Sequence, residues 1–278
     1  MKKILLPLTL IAAPITTIQA QQQIEVAQIW NGTFRTNQLN ALNTLHTKNQ
    51  YSVLDYNRNT KTFTIDAFDF TTLEKVQTLF STADFPEIKE ISDYSINKTD
   101  DKILIATNSN PIYRHSFTSV YYLFDIASKS LIKISDNAIQ EPLLNKNGSK
   151  IAYAFENNLY VFDVATKKTT QVTKDGKKNA IINGITDWVY EEEFAFVRAF
   201  DWNADGTKLA FIKFDESDVP VFSMDIYGED LYPQQQVFKY PKAGENNSKV
   251  SLHLYDISKA STQNVALNAE KEDRKSVV

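Results

Sequence analysis

A turn-and-strand unit recurs along this chain and constrains its fold more than any other feature. Residues 145–153 read NKNGSKIAY, and residues 203–211 read NADGTKLAF. In both copies a turn that ends in glycine precedes a short apolar strand, and glycine supplies the positive φ that such turns need. Residues 100–106, DDKILIA, form a weaker third copy without the glycine. This repetition predicts a fold assembled from similar β modules.

A second pattern follows each copy of the unit. It consists of an alternating strand, a turn that begins with aspartate and another strand. An aspartate carboxylate can accept hydrogen bonds from backbone amides two residues on, which favours a turn. The turn aspartates are Asp69, Asp125, Asp163 and Asp256.

The spacing of the units indicates the architecture. Their aligned lysines, Lys102, Lys150 and Lys208, are 48 and 58 residues apart. Periods of about 40 to 50 residues with four short strands each are typical of propeller blades. The alternative is a set of unrelated hairpins in a β-sandwich. We therefore predict an all-β chain that forms a partial β-propeller, with an insertion between Lys150 and Lys208.

Composition excludes several classes of protein. Hydrophobic residues make up 42% and charged residues 23% of the chain, which fits a globular rather than a disordered protein. The net charge of −4 disfavours nucleic acid as a partner. His46, His115 and His253 are too scattered to indicate a metal site, and no fingerprint of a cofactor is present. We expect no metal and no cofactor.

The first twenty residues have the layout of a secretory signal peptide. Lys2 and Lys3 precede an apolar run, residues 4–18, which Pro7 and Pro14 interrupt. The run is too short for a good membrane span, and the alternative is a buried N-terminal helix. The chain has no cysteine and hence no disulfide. We expect a periplasmic or secreted protein without a membrane segment in its mature form.

The insertion carries an acidic motif, GITDWVYEEEF, at residues 184–194. A run of glutamates is usually a solvated face, but the aromatic residues around this run favour a partly buried, short helical element. Neighbouring carboxylates at a helix start or tight turn repel each other, and burial makes charging them costly. A bound cation relieves both penalties, and a free α-amine is mostly charged at neutral pH.

Residues 185–194, ITDWVYEEEF, resemble the double-glutamate motif of the dipeptidyl peptidase IV family, within the prolyl oligopeptidase superfamily. The segments YRHSF (113–117), DESDVP (215–220) and YPKAG (240–244) are also similar to that family. The resemblance extends over residues 24–265. It implies an eight-bladed propeller that caps an α/β-hydrolase domain, and this chain would supply about four to five blades. It also implies removal of N-terminal dipeptides with Pro or Ala in second position.

The resemblance assigns three substrate-binding residues. Glu192 and Glu193 match the glutamates that bind the free amine of the substrate. Arg114 matches the arginine that contacts a substrate carbonyl oxygen, and its alternative is an exposed, solvated side chain. All three should lie within roughly 10 Å of one another, because an amine and its first carbonyl oxygen are close neighbours. Glu191 should point elsewhere, to solvent or to a structural partner.

The resemblance also implies partners. Peptides with a free N-terminus would be the substrates. Residues 225–247 correspond to an arm that helps to pair two subunits, so the full-length protein would be a homodimer; the alternative is a long surface loop.

A hydrolase nucleophile motif is missing. The G-x-S-x-G elbow needs two glycines four residues apart. No such pair exists among the seven glycines, which are residues 32, 148, 176, 184, 206, 228 and 244. We therefore expect no catalytic residue in this chain and no activity of this chain alone, although the parent would be a serine-type dipeptidyl peptidase. The alternatives are a non-enzymatic periplasmic propeller that serves as a binding scaffold, and a periplasmic partner protein with a truncated propeller.

These observations give a domain layout. Residues 1–20 form the signal peptide, residues 21–50 lead into the propeller and residues 51–272 form the partial propeller. The last residues, KEDRKSVV, do not continue the blade pattern. We expect residues 273–278 to be a non-native tail, with an ordinary charged extension as the alternative.

Overall fold

The computed structural model describes residues 24–36 and 39–266. The expected signal peptide and the expected tail lie outside these residues. Within them, no helix has the length and apolar character that crossing a membrane requires. In the first of two units, which ends at residue 39, a short helix, α1 (Val26–Trp30), begins with a capping box between Glu25 and Gln28.

The second unit, which starts at residue 40, is built from β-strands. The first eight are β1 (Leu42–Thr44), β2 (Gln50–Asn57), β3 (Thr62–Asp69), β4 (Lys75–Ser81), β5 (Asp93–Ile96), β6 (Lys102–Pro111), β7 (Phe117–Asp125) and β8 (Ser130–Lys133). The next six are β9 (Gln140–Leu144), β10 (Lys150–Phe155), β11 (Asn158–Asp163), β12 (Lys168–Gln171), β13 (Ile181–Asn183) and β14 (Phe200–Trp202). The last five are β15 (Lys208–Asp215), β16 (Val221–Ile226), β17 (Gln234–Lys239), β18 (Lys249–Asp256) and β19 (Ser261–Val265). One helix, α2 (Trp188–Phe194), lies between β13 and β14.

The strands form four successive antiparallel sheets. The first three are four-stranded meanders made of β1–β4, β5–β8 and β9–β12. The fourth contains β13, β14, β15, β18 and β19, while β16 and β17 pair separately as a hairpin. Consecutive four-stranded meanders are propeller blades. The predicted all-β partial propeller is thus confirmed, with four blades in the part of the chain described.

An asparagine organises the turn in each repeated unit. The Oδ1 atom of Asn145 accepts hydrogen bonds from the backbone amides of Ser149 and Lys150, at 2.9 and 3.0 Å. Asn97 and Asn203 accept the same pair of bonds in their own turns. The side chain therefore satisfies amides that the tight turn leaves without a backbone partner.

The lysine and aspartate patterns meet across the second, third and fourth blades. The lysine that ends the turn pairs in register with the aspartate that begins the next one. The aspartate also accepts from a backbone amide two residues on for Asp69 and Asp256, and three residues on for Asp125 and Asp163. The cross-strand pairs are Lys102–Asp125, Lys150–Asp163 and Lys208–Asp256.

The turns of neighbouring blades lie against one another. In the second blade, the Asp100 carboxylate accepts from the backbone amides of His46 and Thr47 in the first blade. A Cβ atom on Gly206 would lie 2.9 Å from Nδ2 of Asn145, so the fourth turn approaches the third just as closely. We call this stack the turn ladder; it comprises residues 45–50, 97–102, 145–150 and 203–208.

The core lies between successive sheets and follows the two-residue period of the strands. On β6, Ile103 and Ile105 face the cluster shared with the first blade, whereas Leu104 and Ala106 face the cluster shared with the third. β10 alternates in the same way between the second and fourth blades. β6 and β10 are therefore buried on both faces, which explains their continuous apolar runs.

The predicted insertion interrupts an edge strand of the fourth blade. β13 pairs with the end of β15 and β14 with its beginning. Between them, Gly184 N donates to Ile212 O, Ile212 N donates to Ala199 O, and Ala199 N donates to Gly184 O, each at 2.9 Å. We call residues 184–199 the insertion. It leaves and re-enters the blade at one point, which explains the longer interval before Lys208.

Candidate functional site

The acidic motif forms the helix α2. Asp187 caps its N-terminus, where Oδ1 accepts from the Tyr190 amide at 3.0 Å. Ala195 ends it in the left-handed conformation, with φ of 55°, and donates its N–H to Glu191 O. The expected short helical element is confirmed. Glu191 lies in the first turn of the helix, whereas Glu192 and Glu193 lie in its C-terminal half, because the cap at Asp187 sets the start of the helix.

The three glutamates occupy different environments, as expected when successive helical positions are about 100° apart. Glu191 is 2% exposed, Glu192 is half-buried and Glu193 is exposed. The Oε1 atom of Glu191 accepts from the amides of His115 and Ser116, at 2.9 and 2.7 Å. The expected structural partner of Glu191 is therefore the backbone of a loop in the second blade.

Arg114 lies in that loop, the arginine loop (residues 112–116), which connects β6 to β7. Its Nε atom is 3.1 Å from Oε2 of Glu192. The Glu192 side chain is 12% exposed and the Arg114 side chain 71% exposed. The expected convergence of Arg114 with Glu192 is observed, although they belong to different blades. The guanidinium is thus paired on one side while most of its surface remains accessible to a ligand.

Glu193 follows Glu192 on the helix and is exposed to solvent. Two neighbouring acids near a helix C-terminus face the negative end of the helix dipole. The charge of Arg114 offsets that penalty for Glu192. The Glu192 carboxylate therefore lies beside one cation, and Glu193 is the exposed acid that follows it on the helix.

A cavity of about 570 Å³ lies against Glu191 of α2 and against Ile112, Tyr113 and Ser116 of the arginine loop. Arg114, Glu192 and Glu193 do not line it. Its acidic lining residues are Glu156, Asp187, Glu191 and Glu216, and its basic ones are Lys177, Lys178 and Lys239. The cavity therefore adjoins the predicted substrate-binding residues Arg114, Glu192 and Glu193, which we call the clamp, without including their side chains.

The acids of this cavity have raised pKa values. Burial, followed by the nearby charge of Asp187, raises the pKa of Glu216 to about 7. Burial also raises the pKa of Asp187 and outweighs its hydrogen bonds with Ser248 and Tyr190. Burial and then the charge of Glu216 raise the pKa of Tyr113 to about 12. Protonation of Glu216 would relieve the local concentration of negative charge.

Sequence reasoning assigned no role to Asp187 or Glu216, although both lie in quoted motifs. The position of Asp187, three residues before the amide that it caps, is a readable helix-start signal. Glu216 gives no such signal, because its raised pKa depends on burial by other segments. In residues 24–36 and 39–266, no group of three or more His, Cys, Asp or Glu side chains is arranged to hold a metal ion.

The region expected to be an arm or a surface loop is a hairpin. It consists of β16 and β17, starts at Val221 and emerges between β15 and β18. Residues 225–247 thus contain the end of β16 and all of β17, so the segment is a paired hairpin that begins four residues before residue 225 and not only a long surface loop. Near its base, Phe238 packs on Trp188 of α2 and on Tyr113 of the arginine loop, with ring centroids 5.6 and 6.0 Å apart. The hairpin thereby supports both halves of the site.

Comparison with known proteins places this geometry in a family. Residues 97–278 match the family model described as the dipeptidyl peptidase IV N-terminal region. Prolyl endopeptidase FAP from Mus musculus is 32% identical over 168 residues, which are 59% of this chain and 22% of that protein. A probable dipeptidyl-aminopeptidase B from Talaromyces marneffei is 36% identical over 174 residues, 57% of this chain and 19% of that protein.

A solved structure agrees with the sequence matches. The crystal structure of Porphyromonas gingivalis dipeptidyl peptidase 4 is similar, with a TM-score of 0.82 and 33% identity. The alignment covers 90% of this chain and 36% of that one. The chain thus spans only about a fifth to a third of the length of the relatives that it matches. Since the family model covers most of the chain, and the blades match a solved member, the chain belongs to the dipeptidyl peptidase IV family, as part of its N-terminal propeller region.

Proposed function

We propose that this chain is the substrate-recognition part of a secreted serine dipeptidyl peptidase that removes N-terminal X-Pro or X-Ala dipeptides. Glu192 and Glu193 bind the α-ammonium group, and Arg114 contacts the first carbonyl oxygen. The pairing of Arg114 with Glu192 at 3.1 Å carries the proposal. It brings a carboxylate and a guanidinium from two blades to the spacing that a peptide N-terminus requires.

Charge and geometry support this assignment. A free α-amine is mostly protonated at neutral pH, so two carboxylates favour it over a blocked terminus. A peptide whose terminus is fixed in this way can extend only a set distance toward a nucleophile, which measures out two residues. The nucleophile would be supplied by a hydrolase domain. Export through residues 1–20 and pairing of two subunits through the β16–β17 hairpin are parts of the same proposal.

Peptide titration tests the clamp on the chain itself. The ¹⁵N-labelled chain is titrated with Ala-Pro-Ala and, separately, with N-acetyl-Ala-Pro-Ala, while its amide resonances are recorded. We expect only the free-amine peptide to shift resonances of α2 and the arginine loop. Binding should weaken as pH rises through about 8, where the amine loses its proton.

Conservative variants sharpen the test. Glu192→Gln and Glu193→Gln should each weaken binding of Ala-Pro-Ala by about tenfold or more, because a charge-assisted hydrogen bond is lost. Asp218→Asn, which changes an exposed acid paired with Lys249, is the control and should bind as the parent does. Equal binding of the acetylated peptide would contradict the proposal and favour a binding scaffold of another specificity.

A further inference from the structure

One buried contact joins the two halves of the clamp, and it involves neither of their charged groups. Glu191 Oε1 accepts from the amides of His115 and Ser116, across 75 to 76 residues of sequence. The side chain is among the most deeply buried in the described chain, at 2% exposure. A carboxylate is costly to bury, so these two charge-assisted bonds must account for its position.

The position of this contact in the sequence gives it a consequence. Glu191 directly precedes Glu192 on α2, and His115 directly follows Arg114 in the arginine loop. The bonds therefore fix the backbone next to both partners of the Arg114–Glu192 salt bridge. That salt bridge contributes little by itself, because most of the Arg114 side chain is in water. It therefore depends on another contact to keep the loop beside the helix.

We propose that Glu191 is a positioning residue, whose buried carboxylate holds the arginine loop so that Arg114 meets Glu192. What the clamp binds rests on the function proposed above, but the positioning role does not. A further bond shapes the loop, since Ile112 N donates to Ser116 O at 2.8 Å. That bond closes the loop on itself and gives it no attachment to α2. Among the described hydrogen bonds of the loop, only those to Glu191 reach the helix.

The Nε–Hε resonance of Arg114 reports the pairing directly, because a salt-bridged Nε–Hε exchanges slowly with water. In Glu191→Ala we expect this resonance to broaden or vanish, and the dissociation constant for Ala-Pro-Ala to rise by about tenfold or more. Glu191→Gln should be intermediate, since its Oε1 can still accept from both amides but carries no charge. A folded Glu191→Ala variant with the parental Arg114 resonance would overturn the proposal.

Two matched controls separate positioning from general damage. Ser116→Ala keeps the amide that Glu191 binds and removes only a buried hydroxyl that has no partner in the described residues. It should keep the Arg114 resonance and the peptide affinity of the parent. Asp187→Ala removes the helix cap but no contact with the arginine loop. It should lower the melting temperature yet keep the Arg114 resonance; loss of that resonance to the same extent as in Glu191→Ala would show that helix integrity alone is at work.

Hydrogen exchange keeps the proposal testable if Glu191→Ala does not fold. In Glu191→Gln, the His115 and Ser116 amides should exchange about tenfold faster or more, while the amide of Ile151 in the core keeps its parental rate. Unchanged exchange at His115 and Ser116 would overturn the proposal. If the parent chain does not bind Ala-Pro-Ala, the proposed function fails, but the Arg114 resonance and the exchange rates still decide the role of Glu191.

Discussion

The turn ladder and the insertion use the same residue types in opposite ways. Lys150 of the ladder gives the turn aspartate Asp163 a nearby partner; its hydrogen bond, followed by one from the Thr166 amide, holds the pKa of Asp163 well below its usual range. In and around the insertion, burial raises the pKa of Asp187 and Glu216. The blades gain stability from acids that are paired with cations, whereas the site region keeps acids whose charge is not fully compensated. Such groups are the ones available to a ligand.

The largest effect should come from pH and Glu216. Its pKa rises from 4.5 in the unfolded chain to about 7 in the folded chain, so the folded state retains a proton that the unfolded state loses. Stability should therefore fall as pH rises from about 4.5 to 7, by about 3 kcal/mol. Glu216→Gln should flatten this decline in urea unfolding measured from pH 4.5 to 8. Asp218→Asn, an exposed acid nearby, is the control; identical slopes for Glu216→Gln and the parent would refute the assignment.

Removal of a ladder asparagine should come next. Asn145→Ala removes the acceptor of the Ser149 and Lys150 amides and should cost about 2 kcal/mol. The midpoint of urea unfolding measures this loss. Lys146→Ala, at an exposed position of the same turn, should change the midpoint little. If both variants were equally stable, the side-chain bonds would not be what holds the ladder.

A glycine comparison tests the close approach of neighbouring turns. Gly206 has a φ of 66°, and a Cβ atom there would meet the Asn145 side chain at 2.9 Å. Gly206→Ala should therefore lower stability by about 1 kcal/mol or more. A Cβ atom on Gly228 would have no neighbour within 4 Å, so Gly228→Ala should have almost no effect. Calorimetry of the two variants decides the point, and equal melting temperatures would count against it.

The smallest effect on stability should come from the clamp. Glu192→Gln breaks a salt bridge whose arginine is largely exposed, so it should cost at most about 1 kcal/mol. The same substitution should abolish most peptide binding. Asn145→Ala should show the opposite pattern, with lower stability and the clamp residues left in place. Thermal unfolding and peptide titration of both variants measure this contrast. A loss of several kcal/mol would mean that Glu192 is structural.

The repeated part of the fold could be predicted from the sequence because its interactions are local. Asn145 and Lys150 are five residues apart, and the turn between them recurs along the chain with similar residue types. The aspartates that begin the following turns could be predicted equally well from the sequence. The amide that each aspartate binds lies either two or three residues further along the chain. Period and turn chemistry therefore favoured propeller blades over unrelated hairpins in a β-sandwich.

The site was only partly predictable because its contacts are long-range. Resemblance to a family assigned substrate-binding roles to Arg114, Glu192 and Glu193, and the environment of Glu191 was left between solvent and a structural partner. The choice between these two depends on two amides more than seventy residues away. The pKa of Glu216 is raised mainly by burial among distant segments. The spacing of the residues around Glu216 in the sequence therefore does not predict it.

The short path between Gly184 and Ala199 has an evolutionary consequence. Their backbones bond directly to each other and share Ile212 on the neighbouring strand, so the blade closes beneath the insertion as if the insertion were absent. Since the ends already meet, lengthening or replacing the segment between them adds little closure entropy. Specificity can thus diverge by changes confined to about fourteen residues, while the blade that carries them is inherited unaltered.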